Sequence, residues 1–123
     1  MEVLSLFSGA GGLDLGLIQA GNKIIWANDI DASAVETYRK NIGNHIVLGD
    51  IRSVDIQQLP KADVVVGGFP CQGFSQANRF RVLDDERNFL YRFFYAVGKK
   101  VFTLIICQYT TLNVTDDFLL DAL

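Results

Sequence analysis

An unusual loop in this 123-residue chain contains a cysteine. An apolar run ends at Val66 and is followed by GGFPCQGFS, residues 67–75, in which Cys71 comes directly after Pro70. Proline fixes its own φ and offers no N–H, and the glycines let a ligand approach the backbone. A cysteine that only packs in a core needs neither feature. Cys71 is therefore a candidate nucleophile, whereas Cys107, inside another apolar run, is interpreted as structural.

A second group of candidate residues follows the first apolar run of the chain, at the glycine-rich stretch 9–12. Asp29 lies 20 residues after Gly9, the separation at which an acid can hydrogen-bond ribose hydroxyls, and Asp50 follows a later apolar run. Asp14 stands where the dinucleotide fingerprint has Gly or Ala, which disfavours NAD. An adenosine cofactor without a pyrophosphate, such as S-adenosylmethionine, fits better. The alternative interpretation of the glycine-rich stretch is a turn that only connects a strand to a helix and binds no ligand.

The elements that must position these residues alternate along the chain. Short apolar runs separated by helical patterns predict an α/β fold: a Rossmann-like open parallel sheet of about five strands with crossover helices. The predicted strands are 3–7, 23–27, 45–48, 62–66 and 101–107. Four helices are predicted: one after Gly12, one over 31–41 with Asp31 as N-cap, a short one near 54–59, and one from Asp85 to Gly98. Ligands bind beyond the carboxyl ends of such strands, where all the candidate residues fall.

The charge distribution, the two cysteines and the lengths of the apolar runs limit the classes of protein to which this chain can belong. The net charge is −3, and only residues 79–100 are basic, with six Lys/Arg against three Asp/Glu, so only this segment suits phosphate. Two cysteines give no disulfide framework, and no apolar run approaches the length of a membrane span, so a cytoplasmic protein without membrane contact is expected. His45, the only histidine, is interpreted as structural, and no metal is expected.

The quoted motifs resemble those of a known family. LFSGAGGLDLG (residues 6–16) and GGFPCQGFS are similar to the first and fourth signature motifs of the cytosine-5 DNA methyltransferases. The acid after the second predicted strand, the Gly-Asp after the third and DDERNFLY (residues 84–91) follow the family's order. The resemblance covers about residues 3–95. It implies a methyl transfer from S-adenosylmethionine to carbon 5 of a cytosine flipped out of double-stranded DNA, in a restriction-modification setting.

The resemblance also implies a role for each matching residue. Cys71 would add to carbon 6 of the cytosine, which makes carbon 5 nucleophilic towards the methyl group. Asp29 would hold the ribose, and Asp50 with Ile51 would meet the adenine edge. The implied cofactor-binding residues are Phe7, Gly9, Gly11, Gly12, Asp29, Ile30, Asp50, Ile51, Gly68, Pro70 and Leu90.

The pattern departs from the family after the fifth predicted strand. The family has a Glu-Asn-Val motif there, whose acid assists attack on the ring, but residues 108–111 read Gln-Tyr-Thr-Thr. The expected organisation is a truncated catalytic domain over 1–107 and a divergent tail over 108–123, with activity weak or absent without a second chain. Self-association is expected through apolar surface left uncovered. Four alternatives stay open: a cofactor-binding module without activity, a subunit of a split enzyme, a transfer-RNA methyltransferase, and a cysteine-dependent redox or acyl-transfer protein.

Overall fold

A computed structural model of the chain describes residues 1–68, 92–93, 96–99, 104–107 and 110–113. In residues 1–68, two helices and two short 3-10 helices connect the strands, and residues 92–93 and 96–99 are also helical. The strands are β1 (Glu2–Leu6), β2 (Lys23–Asp29), β3 (Ile46–Leu48), β4 (Val64–Gly67), β5 (Leu104–Cys107) and β6 (Thr110–Asn113). The helices are α1 (Gly12–Gln19) and α2 (Ala32–Asn41), and the 3-10 helices are Ile51–Ser53 and Ile56–Gln58.

The six strands form one sheet in the order β3-β2-β1-β4-β5-β6. The first five are parallel, which confirms the predicted parallel sheet, and β6 runs antiparallel to β5 at the edge. The chain starts in the middle of the sheet, builds outward through β2 and β3, and then returns to the other side of β1 with β4. This reversal places a topological switch point between β1 and β4, where open α/β sheets bind ligands.

Apolar side chains cover both faces of the central strands. Val64, Val65 and Val66 are all buried, because alternate residues of a strand point to opposite faces and both faces of β4 are covered. Two core clusters result. One contains Leu4, Leu6, Ile51, Leu59, Ala62, Val65, Phe93 and Val97. The other contains Val3, Ile24, Ala27, Val35, Tyr38, Ile46, Val64 and Val66.

Helix α1 ends at the glycine that the sequence indicates. Gly21 has φ +87°, its N–H donates to the Ile18 carbonyl, and the Asn22 N–H donates to the Leu17 carbonyl. These are the two hydrogen bonds of a Schellman motif, which satisfies carbonyls left unpaired at a helix end. The reversal sends the chain directly into β2.

The helical residues before β5 confirm part of another prediction. Residues 92–93 and 96–99 are helical, with Phe93 and Val97 buried in the first core cluster. The prediction that this helix ends at Gly98 is wrong, because Gly98 and Lys99 are still helical and Gly98 is buried. In the described part of the chain, no helix has the length and apolar character needed to cross a membrane.

Helix α2 begins as predicted, with Asp31 as its N-cap. The Asp31 Oδ1 atom accepts from the N–H groups of Ser33 (2.8 Å) and Ala34 (2.9 Å), and these bonds hold the pKa of the carboxyl below its usual value. We expect Asp31→Ala to lower the melting temperature by about 3–5 °C at neutral pH. A carboxyl whose pKa is lowered on folding stabilises the fold at pH values above its pKa in the unfolded chain, and this stabilisation is lost as the pH falls. The difference in melting temperature between wild type and Asp31→Ala should therefore shrink below about pH 4.

The matched control for this prediction is Asp31→Asn, since asparagine caps a helix about as well as aspartate but does not titrate. Thermal unfolding followed by circular dichroism at several pH values measures both variants. A deficit of Asp31→Ala relative to wild type that stays constant down to pH ~3 would contradict the ionised cap.

Candidate ligand-binding site

Three of the loops predicted to carry the site are joined by backbone hydrogen bonds. The Ser8 N–H, after β1, donates to the Asn28 carbonyl at the end of β2 (2.9 Å). The Gly49 N–H, after β3, donates to the Asp29 carbonyl (3.0 Å). The loops after β1, β2 and β3 therefore form one connected surface at the carboxyl ends of the strands.

The loop after β1 has a conformation that L-residues rarely adopt. Phe7 has φ +56°, and its side chain packs partly buried against the first core cluster. A left-handed conformation costs a non-glycine residue about 1–2 kcal/mol, and such residues concentrate at functional sites. Gly9 also has φ +56°, and a Cβ atom added there would meet nothing within 4 Å. Gly9 therefore leaves open space above the backbone.

The other two glycines of this loop have different surroundings. Gly11, predicted to line the cofactor, is buried with φ +92°, and an added Cβ atom would collide with the side chains of Tyr38 and Ile42. Its missing side chain therefore lets α2 approach the loop. Gly12 is the exposed first residue of α1, with open space at its Cβ position.

Asp29 has the geometry of a ligand acceptor that is already oriented. Its Oδ2 atom accepts from the Gly9 N–H (2.7 Å), and its Oδ1 atom accepts from the Asp31 N–H (2.9 Å). Each carboxylate oxygen has about two acceptor positions, so one on each oxygen is left for a further donor. The carboxylate therefore fixes the glycine loop and can accept from a diol at the same time.

The three predicted adenine contacts lie in the loops that follow β2 and β3. The Ile30 side chain is apolar, and the residue is 68% exposed, so it offers an apolar surface to a ligand. Asp50 caps the first 3-10 helix, and its hydrogen bonds to Arg52 hold the pKa of its carboxyl low, so it is an acceptor at neutral pH. The Ile51 side chain is 3% exposed and lies in the core, so only its backbone could reach a ligand.

The loop after β4 begins next to the glycine loop. Gly67 pairs with Leu6 of β1 on one side and with Cys107 of β5 on the other. Gly68 follows and is exposed. The other predicted site residues of this region, Pro70, Cys71 and Leu90, lie outside the described residues, and their roles stay predictions.

The sequence analysis missed Asn28, a buried residue that holds two loops together. Its side chain is 1% exposed, and Nδ2 donates to the carbonyls of Val47 and Gly49, both at 3.0 Å. The two donors of this amide therefore tie the end of β2 to the end of β3 and to the loop that follows it. A polar residue at the end of an otherwise apolar strand was the available signal.

The sequence analysis also missed the function of Asp14 in the fold. Asp14 is the fully buried residue of α1, and its carboxylate accepts from the hydroxyls of Ser5 (2.6 Å) and Tyr38 (2.7 Å). Burial raises the pKa of this carboxyl, against the lowering effect of the two hydrogen bonds. In a dinucleotide fingerprint, a small residue at this position lets the helix pack closely on the strand. Here the Asp14 carboxylate instead connects α1 to β1 and α2 by hydrogen bonds.

The chemistry of this surface suits an adenosine ligand with an anionic group. Asp29 and Asp50 supply acceptors, Ile30 supplies an apolar face, and the first N–H groups of α1 have no side-chain cap because Gly11 is the N-cap. Among the residues that the structure describes, no three His, Cys, Asp or Glu side chains are grouped to hold a metal ion.

Comparisons with known proteins show the family of this chain. The family model of the C-5 cytosine-specific DNA methylases matches residues 1–102. The Type II methyltransferase M.NgoFVII of Neisseria gonorrhoeae is 49% identical over 107 residues, which cover 82% of this chain and 29% of that protein. M.FnuDI of Fusobacterium nucleatum is 45% identical over 101 residues, with the same coverage. The chain thus spans less than a third of the length of these relatives.

Solved structures agree with the fold. A putative DNA modification methyltransferase from an Escherichia coli prophage superposes with a TM-score of 0.70 at 32% identity, over 87% of this chain and 31% of that one. The Dnmt2 methyltransferase of S. pombe superposes with a TM-score of 0.67 at 24% identity, over 87% and 35%, which shows a shared fold alone.

Proposed function

Because this chain belongs to the C-5 cytosine-specific DNA methylase family, we propose that it binds S-adenosylmethionine at the carboxyl ends of β1, β2 and β3. The bound cofactor serves methyl transfer to carbon 5 of cytosine in DNA. The observation that carries the proposal is the Asp29 carboxylate, which is held by the Gly9 N–H and keeps acceptor positions on both oxygens. A ribose diol supplies the two donors that this arrangement lacks.

Each part of the cofactor has matching residues. The ribose hydroxyls donate to Asp29, and the adenine lies on Ile30, with its amino group donating to Asp50. The Ile51 N–H starts a 3-10 helix and has no partner within that helix, so it is available to an adenine ring nitrogen. Phe7 and Gly9 line the cofactor beside the open loop, and Gly12 offers its N–H at the start of α1. Gly11 contributes by allowing α2 to support the loop.

The methionine carboxylate of the cofactor lies near the start of α1. The first N–H groups of a helix carry partial positive charge and lack intrahelical partners, so they bind anions. When bound, S-adenosylmethionine supplies an electrophilic methyl group on a sulfonium. The residues that would hold this cofactor lie at the carboxyl ends of β1, β2 and β3, and β4, which pairs with β1, leads into Gly68 and the cysteine loop.

The reaction follows from the resemblance of this cysteine loop to the family motif. The Cys71 thiolate would form a bond to carbon 6 of a flipped cytosine, and the electron pair would move to carbon 5. Carbon 5 would take the methyl group as the methyl–sulfur bond breaks, and that bond's electron pair would leave with S-adenosylhomocysteine. Transfer of the carbon 5 proton to water would then re-form the carbon 5–carbon 6 double bond and expel the thiolate. By the same resemblance, Pro70 would shape the loop, and Gly68 and Leu90 would complete the pocket.

The substrate in this proposal is double-stranded DNA. The relatives at 49% and 45% identity are Type II methyltransferases, which supports modification of a specific DNA sequence. The basic segment 79–100 offers the charge for phosphate contacts. A second chain that supplies further motifs, and self-association, stay predictions.

A second candidate function is cofactor binding without turnover. It is favoured by the sequence Gln-Tyr-Thr-Thr at residues 108–111, where the family has Glu-Asn-Val. Cys107, the last residue of β5, pairs with Gly67, the last residue of β4. General acid assistance contributes about 10²–10⁴-fold to a rate, so methyl transfer should be slower by this factor than in a relative that has the glutamate.

Calorimetric titration of S-adenosylmethionine into the purified chain tests the proposal, with NAD⁺ as the matched comparison ligand. We expect saturable binding of S-adenosylmethionine and none of NAD⁺, because Asp14 occupies the position that a dinucleotide fingerprint reserves for a small residue. Absence of S-adenosylmethionine binding, with the chain folded by circular dichroism, would contradict the proposed function. Equal binding of both ligands would contradict the assigned cofactor specificity.

A further inference from the structure

Asn28 connects the loops after β1 and β3 to the end of β2. Its backbone carbonyl accepts from the Ser8 N–H, after β1 (2.9 Å). Its side-chain Nδ2 donates to the carbonyls of Val47, in β3, and Gly49, in the loop that follows β3 (both 3.0 Å). Because the residue is only 1% exposed, its side chain is covered by protein and does not itself reach a ligand. Any effect of Asn28 on binding therefore acts through the loops that it holds.

Both backbone polar groups of Gly49 are bonded to the end of β2. The Gly49 N–H donates to the Asp29 carbonyl (3.0 Å), and the Gly49 carbonyl accepts from the Asn28 side chain. This carbonyl belongs to the planar peptide unit that joins Gly49 to Asp50. Glycine has an unusually wide range of backbone conformations, so the bond from Asn28 restricts a peptide unit that is otherwise free to rotate. The orientation from which the Asp50 side chain starts is therefore set by Asn28.

The Asp50 carboxylate has one direction left in which it can accept a hydrogen bond. Its Oδ2 atom accepts from Nε and Nη2 of Arg52, and its Oδ1 atom accepts from the Arg52 N–H (2.9 Å). Each carboxylate oxygen has about two acceptor positions, so the remaining position is on Oδ1. Because Arg52 holds the carboxylate against its own backbone, the direction of this position follows the backbone at Asp50.

The acceptor at Asp50 and the neighbouring donor at Ile51 suit one kind of purine. In the proposed complex, Asp50 accepts from the 6-amino group of adenine, and the Ile51 N–H donates to the adjacent ring nitrogen N1. A 6-oxopurine has an acceptor oxygen at position 6 and an N–H at position 1, so both hydrogen bonds are lost and like groups face each other. A site built to hydrogen-bond one group rejects an analogue that leaves its polar groups unpaired.

We propose that Asn28 is a positioning residue that sets the preference of the site for a 6-aminopurine over a 6-oxopurine nucleoside. It holds the peptide unit between Gly49 and Asp50, and with it the base-edge acceptor, at a fixed place relative to the ribose acceptor Asp29. The inference rests on the proposed function, because the base that is selected is the adenine of S-adenosylmethionine. A role in stability alone would lower the affinity for both purines by the same factor, since both need the same folded state.

Calorimetric titration with S-adenosylhomocysteine and S-inosylhomocysteine tests the inference, because these ligands differ only in the 6-amino or 6-oxo group and the N1 proton that accompanies the latter. Asn28→Leu keeps the approximate size and shape of the side chain and removes both donors. Asn28→Asp keeps the shape and, when protonated, donates to only one of the two carbonyls. The matched control is Ile24→Val, which removes one methylene group from a buried position near the other end of β2.

We expect wild type and Ile24→Val to prefer S-adenosylhomocysteine by about 50-fold and Asn28→Leu by about fivefold, with Asn28→Asp between them. An unchanged preference in either Asn28 variant, folded by circular dichroism, would overturn the inference and leave the proposed function intact. Equal binding of both ligands by the wild type would have the same consequence. Failure of both Asn28 variants to fold would also overturn it, since Asn28 would then be required for the fold and not for selection. If the wild type binds neither ligand, the proposed function fails and the inference fails with it.

Discussion

Substitution of Gly11 by alanine is expected to destabilise the protein by about 3 kcal/mol, the largest stability effect of any single methyl group in the glycine loop. Two costs add. The backbone at Gly11 has φ +92°, which an L-residue adopts only with strain. The new methyl group would also overlap Ile42 and the Tyr38 ring, and Tyr38 is fully buried, so it cannot move aside without breaking its contact with Asp14.

The neighbouring glycines provide matched controls for this prediction. Gly12→Ala introduces the same methyl group one residue later, at the start of α1, where the Cβ position is open and φ is not positive, so we expect no loss of stability. Gly9→Ala meets no atoms within 4 Å but has φ +56°, so it isolates the backbone strain, about 1 kcal/mol. Urea unfolding measures the free energy of all three variants. Equal values for Gly11→Ala and Gly9→Ala would contradict the packing role of Gly11.

The strands and the grouping of the loops at the candidate site could be predicted from local sequence. Runs such as Val64–Val66 are buried on both faces and are bounded by glycine, and Asp31 has the spacing of an N-cap, so short-range patterns were sufficient. Because the carboxyl ends of parallel strands meet at one edge, Asp29 and Gly9 could be placed together without knowledge of the distance. The observed bond between them, 2.7 Å, confirms that proximity.

The remaining features depend on contacts between distant segments. Gly11 was predicted to line a cofactor, but its packing role is set by Tyr38, 27 residues away, and no local pattern contains that information. β6 was not predicted, because its pairing with β5 depends on a chain reversal and not on its own sequence. Asp14 was interpreted only as a mismatch to the dinucleotide fingerprint, since its donors, Ser5 and Tyr38, come from different elements.

Replacement of Asp29 by alanine is expected to weaken S-adenosylmethionine binding by about 100-fold or more, the largest effect on affinity among these predictions. Hydrogen bonds to a charged acceptor contribute about 1.5–3 kcal/mol each, and the variant loses both ribose contacts. It also leaves the N–H groups of Gly9 and Asp31 without their acceptor, so the loop loses the geometry that the ligand needs.

Two further variants separate ligand contact from loop support. Asp29→Asn keeps the size of the side chain and one acceptor oxygen, so it should retain part of the loop geometry and lose about tenfold in affinity. Asp55→Ala removes a carboxylate of the same kind, the N-cap of the second 3-10 helix, away from the proposed cofactor contacts, and should bind as the wild type does. Calorimetry measures the affinities and circular dichroism the folding.

The relative affinities of wild type, Asp29→Asn, Asp29→Ala and Asp55→Ala for S-adenosylmethionine test whether Asp29 contacts the ribose. If Asp29→Ala binds as tightly as Asp55→Ala, neither a ribose contact nor loop support by the Asp29 carboxylate contributes to binding. If Asp29→Asn and Asp29→Ala lose affinity equally, the ionised acceptor itself is required, because the amide would preserve shape without charge. A graded loss, with Asn between wild type and Ala, is the result expected when one carboxylate orients the Gly9 loop and accepts from the diol at the same time.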